Sequence, residues 1–305
     1  MASTDFSTRV YSYDDTEDDF NLTHFALQPE DFNYKIPFIK RAIAMQKDYG
    51  GLKLFASPFS APGWMKTSGM MPTAGSLIKN DTYSKAWAQY FVKYFEAYQS
   101  HGIDFWGVTM QNEPFTASIP LFPWQSMSVP PEVARDFLKF HLGPALKSSP
   151  ASSNLSVIIL DDSRMFLDLY ADAILSDPVA ASYVSGFGVH WYFDLFLAAP
   201  ASILSDAHAK YPDKFILGTE ACNGWIWGLP RGVMPGSFEY GELYARSIIQ
   251  DLNHYAGGWI DWNLALDLKG GPSWINDNVD STIVVNATSG EFYKQPTFYV
   301  MAHFR

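Results

Sequence analysis

From residue 52 onward, short apolar runs alternate with stretches of helical spacing. The runs are Leu52–Ala56, Phe105–Thr109, Val157–Leu160, Gly186–Tyr192, Phe215–Thr219 and Gly258–Asn263. Helical patterns precede or separate them at 36–49, 83–100, 132–146, 165–175, 203–210 and 239–255. The third, at 132–146, is begun by prolines, and Gly143-Pro144 is expected to stop it. Strand and helix taken in turn predict βαβ units and a parallel sheet. Six strands suit an open doubly wound sheet, whereas a closed (β/α) barrel needs eight. No Gly-rich phosphate loop marks a first turn, which argues against the nucleotide-binding version. The first 35 or so residues lack periodicity, and Asp14 to Asp19 reads as a solvated acidic loop rather than a metal site.

Of the 305 residues 48% are hydrophobic, enough for one large core, and no linker divides the chain. The net charge of -11 speaks against a nucleic-acid partner, whose phosphates demand Lys and Arg patches. No apolar stretch reaches transmembrane length. Met1 to Asp5 is polar, so no signal peptide is expected in this chain. Cys222 is the only cysteine, which excludes an internal disulfide, and it reads as a small buried residue rather than a nucleophile. Asn21, Asn80, Asn154 and Asn286 open glycosylation sequons.

The strand ends are polar and aromatic. Glu113 closes Thr109-Met110-Gln111-Asn112-Glu113-Pro114, and Glu220 closes Ile216-Leu217-Gly218-Thr219-Glu220. A carboxylate at the C-terminal end of a parallel barrel strand points into the mouth where such folds do chemistry. Two of them suit cleavage of a glycosidic bond, one as proton donor and one as nucleophile. The Asn112 amide can hold a sugar hydroxyl beside the acid. His190 can orient the nucleophile, bind a hydroxyl or simply be a satisfied core residue. Trp64, Trp106, Trp124, Trp191, Trp225, Trp227, Trp262 and Trp274 are candidates for stacking on sugar or touching lipid. About three are expected in the site, with Trp124, Trp191 and Trp262 nearest the strand mouths. Asp161-Asp162 with Arg164 reads as a structural ion pair rather than a metal site.

Several long segments are recognisable. They are Ala56 to Thr67, Phe105 to Thr109 with Gln111-Asn112-Glu113-Pro114, Val189-His190-Trp191-Tyr192, Gly258 to Leu266, and Phe292-Tyr293-Lys294-Gln295-Pro296. Together they resemble the glucosylceramidases (lysosomal acid β-glucosidases) of glycoside hydrolase family 30, almost from end to end. The resemblance implies an α/β (β/α)8 TIM barrel, with residues 1–305 as its catalytic domain. It implies a retaining hydrolase that splits glucosylceramide into glucose and ceramide without cofactor or metal. Glu113 takes the acid/base role and Glu220 the nucleophile role. Asp5, Asn112 and Trp262 hold the glucose, His190 and Tyr192 line the site, and Phe122 and Trp124 flank the entrance. Phe59 belongs to the sugar-stacking surface, at a position where the family usually has Trp. The implied setting is lysosomal or secreted, on lipid at a membrane surface, helped by a saposin-type activator.

Measured against the family pattern, the chain begins where the second barrel strand ends and lacks most of the accompanying β-sandwich. The expectation is therefore an incomplete barrel, short of its first two strands, with weak or no turnover on its own. Other family-30 activities, a β-1,6-glucanase or a xylanase, and a non-catalytic glycolipid-binding paralogue are the alternative readings.

Overall fold

The computed structural model describes residues 1–119, 122–194, 199–225 and 232–304. In chain order the elements are α1 (Ile36–Gln46), β1 (Phe55–Ala56), α2 (Asp81–Ser100), β2 (Gly107–Thr109), α3 (Pro131–Phe137), α4 (Gly143–Lys147), β3 (Ser156–Ser163), α5 (Leu167–Leu175), α6 (Pro178–Tyr183) and β4 (Val184–His190). There follow α7 (Ser202–Lys210), β5 (Phe215–Glu220), α8 (Phe238–Asn253), β6 (Ala256–Trp259), β7 (Leu266–Asp267), β8 (Ile283–Asn286), β9 (Glu291–Lys294) and α9 (Pro296–His303). One sheet has the order β1-β2-β3-β4-β5-β6, each strand beside its predecessor. Sequential order with a helix between strands is the winding of a TIM barrel, and all six anticipated strands are present.

The chain falls into two compact units. One comprises Met1–Ala2, Tyr11–Leu160 and Leu169–Gly186. There β1 and β2 pair in parallel with Phe55 opposite Gly107, and β2 pairs with β3 with Val108 opposite Val157. Helix α2 forms because Trp87, Phe91, Tyr94, Phe95 and Tyr98 recur at helical spacing and all are buried. Each contributes about 1.5–3 kcal/mol of apolar burial. Asn80 caps it, its side-chain oxygen accepting from Thr82 N at 2.8 Å. Under this helix lies Asp31, fully buried, which accepts from Tyr13 and Tyr98 hydroxyls at 2.8 and 2.6 Å.

The other unit comprises Ser3–Val10, Asp161–Asp168 and Phe187–Arg305. Here β5 and β6 pair in parallel, Ile216 opposite Ala256, with a register irregularity before Gly218 meets Trp259. Helix α8 buries Gly241, Tyr244, Ile248 and Asp251, one stripe of a 3.6-residue period.

Three expectations are corrected. The helix at 132–146 does not stop at Gly143-Pro144. It passes through a wide π-helical turn at Leu138–Leu142 into α4. The shifted hydrogen bonding of that turn accommodates the missing Pro144 N–H, and a Cβ on Gly143 would meet the Tyr183 ring at 2.5 Å. Strand β3 runs on through Asp161 and Asp162 instead of ending before them, while β6 stops at Trp259. Helices α6 and α9 and a separate three-stranded sheet, β7-β8-β9, are additions. The β9 strand Glu291–Lys294 is exposed throughout, so no apolar alternation announced it.

Candidate active site

In the first unit the strand end after β2 carries Asn112 and Glu113. Glu113 has φ +47°, a left-handed backbone that a side-chain-bearing residue adopts at a cost of about 1–3 kcal/mol. Pro114 after it disfavours helical backbone as well. Backbone bonds hold the turn, Ala117 N donating to Glu113 O at 2.8 Å and Val129 N to Pro114 O at 3.1 Å. Asn112 is buried, with its N–H on Pro58 O at 2.9 Å. Gln111 ties this turn to the end of β1, its Nε2 donating to the Phe59 and Asn112 carbonyls at 2.8 and 3.0 Å. Phe59 itself is buried. Phe122 and Trp124 form a tilted pair with centroids 4.6 Å apart, both half-buried.

In the second unit Glu220 closes β5. Tyr192 donates its hydroxyl proton to Glu220 Oε1 at 2.7 Å. His190 Nδ1 lies 4.0 Å from the same oxygen, and its Nε2 lies 3.2 Å from Asp161 Oδ1. A carboxylate only accepts, so Asp161 places the ring proton on Nε2 and fixes the imidazole plane. Asp161 is re-aimed by two successive left-handed residues, Leu160 at φ +71° and Asp161 at φ +58°. The pattern of residues 190–192 continues the period-two alternation of β4. His190 and Tyr192 face Glu220, while Trp191 turns away to pack on Tyr244 and Trp259 at 5.2 and 6.1 Å. Trp191 therefore belongs to the packing against α8, not to the sugar face expected of it.

Around Glu220 the walls are aromatic. Trp225 meets Tyr192 edge-on at 4.9 Å, and Phe6 meets Trp262 at 6.1 Å. Trp262 is anchored beside Glu220 by its backbone N–H, which donates to Ala221 O at 2.8 Å. Asp5 is buried, in a segment held by Ser273 Oγ on Asp5 O (2.7 Å) and Trp274 Nε1 on Thr4 O (3.2 Å). Trp274 thus supports the site, and Trp64, bonded to Asp14 O, and Trp106, under Lys53, serve packing. Trp227 lies outside the described residues. Cys222 is 2% exposed and packs with Leu266 and Val279. Burial pushes its thiol well up, so it stays protonated and unreactive, as expected from its sequence setting.

Arg164 does not pair with Asp161 or Asp162. Its guanidinium bridges Asp194 at 2.9 Å and Asp251 at 3.0 Å, with Nε on Ala199 O at 2.8 Å. The reason is geometric: β3 extends to Ser163, so Arg164 opens the following turn and reaches toward α8. Nothing in the local sequence marked Asp194 and Asp251, which stand 30 and 87 residues away.

Burial also raises four carboxyls of this unit: Asp194 to about 8, Asp261 to about 7, Asp251 to about 6, and Asp280 above its usual value. In the unfolded chain they titrate near 4. Between that value and the folded one, the native state holds extra protons, which favours folding. That stabilisation is complete below the unfolded value and is lost as pH rises through 6, 7 and 8. The melting temperature should therefore fall by about 5–10 °C from pH 5 to pH 8. Asp261→Asn should reduce the slope of stability against pH by up to one proton. A flat or rising melting curve over that range excludes the account.

Comparison with known proteins agrees with this frame. A model described as the glycosyl hydrolase family 30 TIM-barrel domain matches residues 1–305. Putative glucosylceramidase 4 of Caenorhabditis elegans is 52% identical over 306 residues, covering all of this chain and 58% of that protein. The lysosomal acid glucosylceramidase of Mus musculus is 44% identical over 307 residues, again covering all of this chain and 58% of that protein. Among solved structures, SrfJ from Salmonella typhimurium superposes with a TM-score of 0.86 at 26% identity, over 99% of this chain and 64% of that one. This chain thus spans a little over half the length of the curated relatives it matches. It belongs to glycosyl hydrolase family 30 and carries that family's TIM-barrel domain.

Proposed function

We propose that this chain carries the catalytic groups of a retaining β-glucosidase acting on glucosylceramide. The observation that carries the reading is Glu220 at the C-terminal end of β5, gripped by Tyr192 at 2.7 Å within an aromatic wall. A carboxylate oxygen that accepts a hydroxyl hydrogen bond is held in a fixed direction, which is what a nucleophile needs. Glu220 attacks the anomeric carbon and the glycosidic C–O bond breaks. Glu113 gives its proton to the departing ceramide oxygen. In the second half Glu113 takes a proton from water, whose oxygen displaces Glu220 from the sugar and releases glucose. Asp5, Asn112 and Trp262 hold the glucose, with Phe59 on the stacking side. His190 and Tyr192 line the nucleophile, and Phe122 and Trp124 flank the entrance.

The lipid substrate and a lysosomal setting are supported by the identity with the mouse enzyme and by the stability expected at acidic pH. The substrate is met at a membrane surface, with a saposin-type activator, and no described helix is long and apolar enough to cross a membrane. The test needs one bond-forming event and no turnover. With dinitrophenyl 2-deoxy-2-fluoro-β-glucoside, one equivalent of dinitrophenolate should be released and one fluoroglucosyl ester should form on the Glu220 peptide. The xylose analogue should label at least about tenfold more slowly. Absence of an adduct at Glu220, or preferential labelling by the xyloside, overturns the proposal.

A further inference from the structure

Lys66 is 2% exposed, yet among the described residues no carboxylate pairs with it. Its ammonium donates to three backbone carbonyls: Met71 O at 2.9 Å, Thr73 O at 3.0 Å and Ser126 O at 2.7 Å. An ammonium has three donors, and all three are used. Burial without a counter-charge pushes it down to about 8, so the cation is kept at a desolvation cost. A buried charge tolerated in this way points to work done by its position.

The three carbonyls come from two loops. Residues 66–77 fold back on themselves, with Lys66 bridged to Leu77 and Gly69 N on Lys66 O at 3.0 Å. Thr73, a β-branched residue, is left-handed at φ +66°, which turns its carbonyl onto Lys66 and its N–H onto Trp124 O at 2.7 Å. The second loop runs alongside: Gln125 bridges Pro72 and Thr73, and Ser128 N reaches Gly75 O at 2.8 Å. Without the ammonium, three inward carbonyls lose this donor and the Thr73 turn loses one of its restraints. Phe122 and Trp124 ride on the loop so held.

We propose that Lys66 is the positioning residue of the entrance wall: by drawing carbonyls of two loops onto one ammonium it holds Phe122 and Trp124 in place and sets the preference for a lipid-tailed over a bare glucoside. This rests on the reading above, in which those two rings flank the entrance.

The test compares wild type with Lys66→Met, which keeps the apolar stem. Rates of Glu220 labelling are measured with an epoxide-bearing glucose mimic, bare and with a long alkyl tail. The tailed-to-bare preference should fall at least about fivefold in Lys66→Met while the bare rate stays within about twofold. Equal loss on both compounds, or an unchanged preference, overturns the proposal. If neither compound labels wild type, the functional reading fails by itself. Amide exchange then judges Lys66: faster exchange at 71–73 and 124–128 in Lys66→Met supports the clamp, and unchanged exchange refutes it. If Lys66→Met does not fold, wild-type exchange decides. Amides at 73 and 124–128 as protected as those of α2 support it, and exchange as fast as in exposed loops refutes it.

Discussion

Glu113→Gln should leave Glu220 labelling by dinitrophenyl 2-deoxy-2-fluoro-β-glucoside within about threefold of wild type, and slow labelling by an alkyl-leaving-group or epoxide analogue by about 10²–10⁴. Dinitrophenolate departs as a stable anion and needs no proton, whereas an alkoxide or an opening epoxide oxygen does. Glu220→Gln should yield no adduct with either compound, because an amide cannot form the glycosyl ester. The two variants thus separate the roles assigned to the two strand-end carboxyls. Equal slowing of both compounds in Glu113→Gln would show that Glu113 supports the fold of its turn and not proton transfer. The left-handed backbone at Glu113 gives that outcome a physical route, so a glutamine, which keeps the backbone and the side-chain shape, is the right replacement.

Arg164→Met should destabilise the chain by about 3–5 kcal/mol near pH 7.5, lowering the melting temperature by roughly 10 °C. Arg164 is 2% exposed and sits between two buried carboxyls, Asp194 and Asp251. Deleting the guanidinium strands the ionised Asp251 in a medium of low polarity, takes a hydrogen-bond partner from Asp194, which is already largely protonated at that pH, and frees the Ala199 carbonyl. Both carboxyls are already raised by burial, so they escape by taking up protons. The penalty should therefore shrink at pH 5, and Arg164→Met combined with Asp194→Asn and Asp251→Asn should recover much of the loss. A penalty independent of pH would mean that the cost is lost packing of the arginine stem rather than stranded charge.

Much of the framework was legible along the chain. The six strands and the helices between them followed from periodicity, because a buried strand and an amphipathic helix leave different spacings of apolar residues. Glu113, Glu220, His190 and Tyr192 stood out because each ends a strand pattern, and the terminal residue of a parallel strand has a defined direction. What went unread depends on partners distant in sequence or on backbone that has no side-chain signature. Periodicity could not show that the helix survives Gly143-Pro144, since that depends on a wide turn and on a tyrosine ring 40 residues later. Nor could it separate Trp191 from Trp262: both follow strand patterns, and only the alternation past His190 sends one against α8.

Sequence alone determined the strand-helix alternation, the identity of the two strand-end glutamates and the inert setting of Cys222. These rest on local spacing and on intrinsic residue chemistry. Tertiary structure alone decided that Arg164 answers Asp194 and Asp251, that Asp161 orients His190, and that Lys66 gathers three carbonyls. Those pairings join residues tens of positions apart, and each exists because a buried polar group must find its partner wherever the fold brings one near.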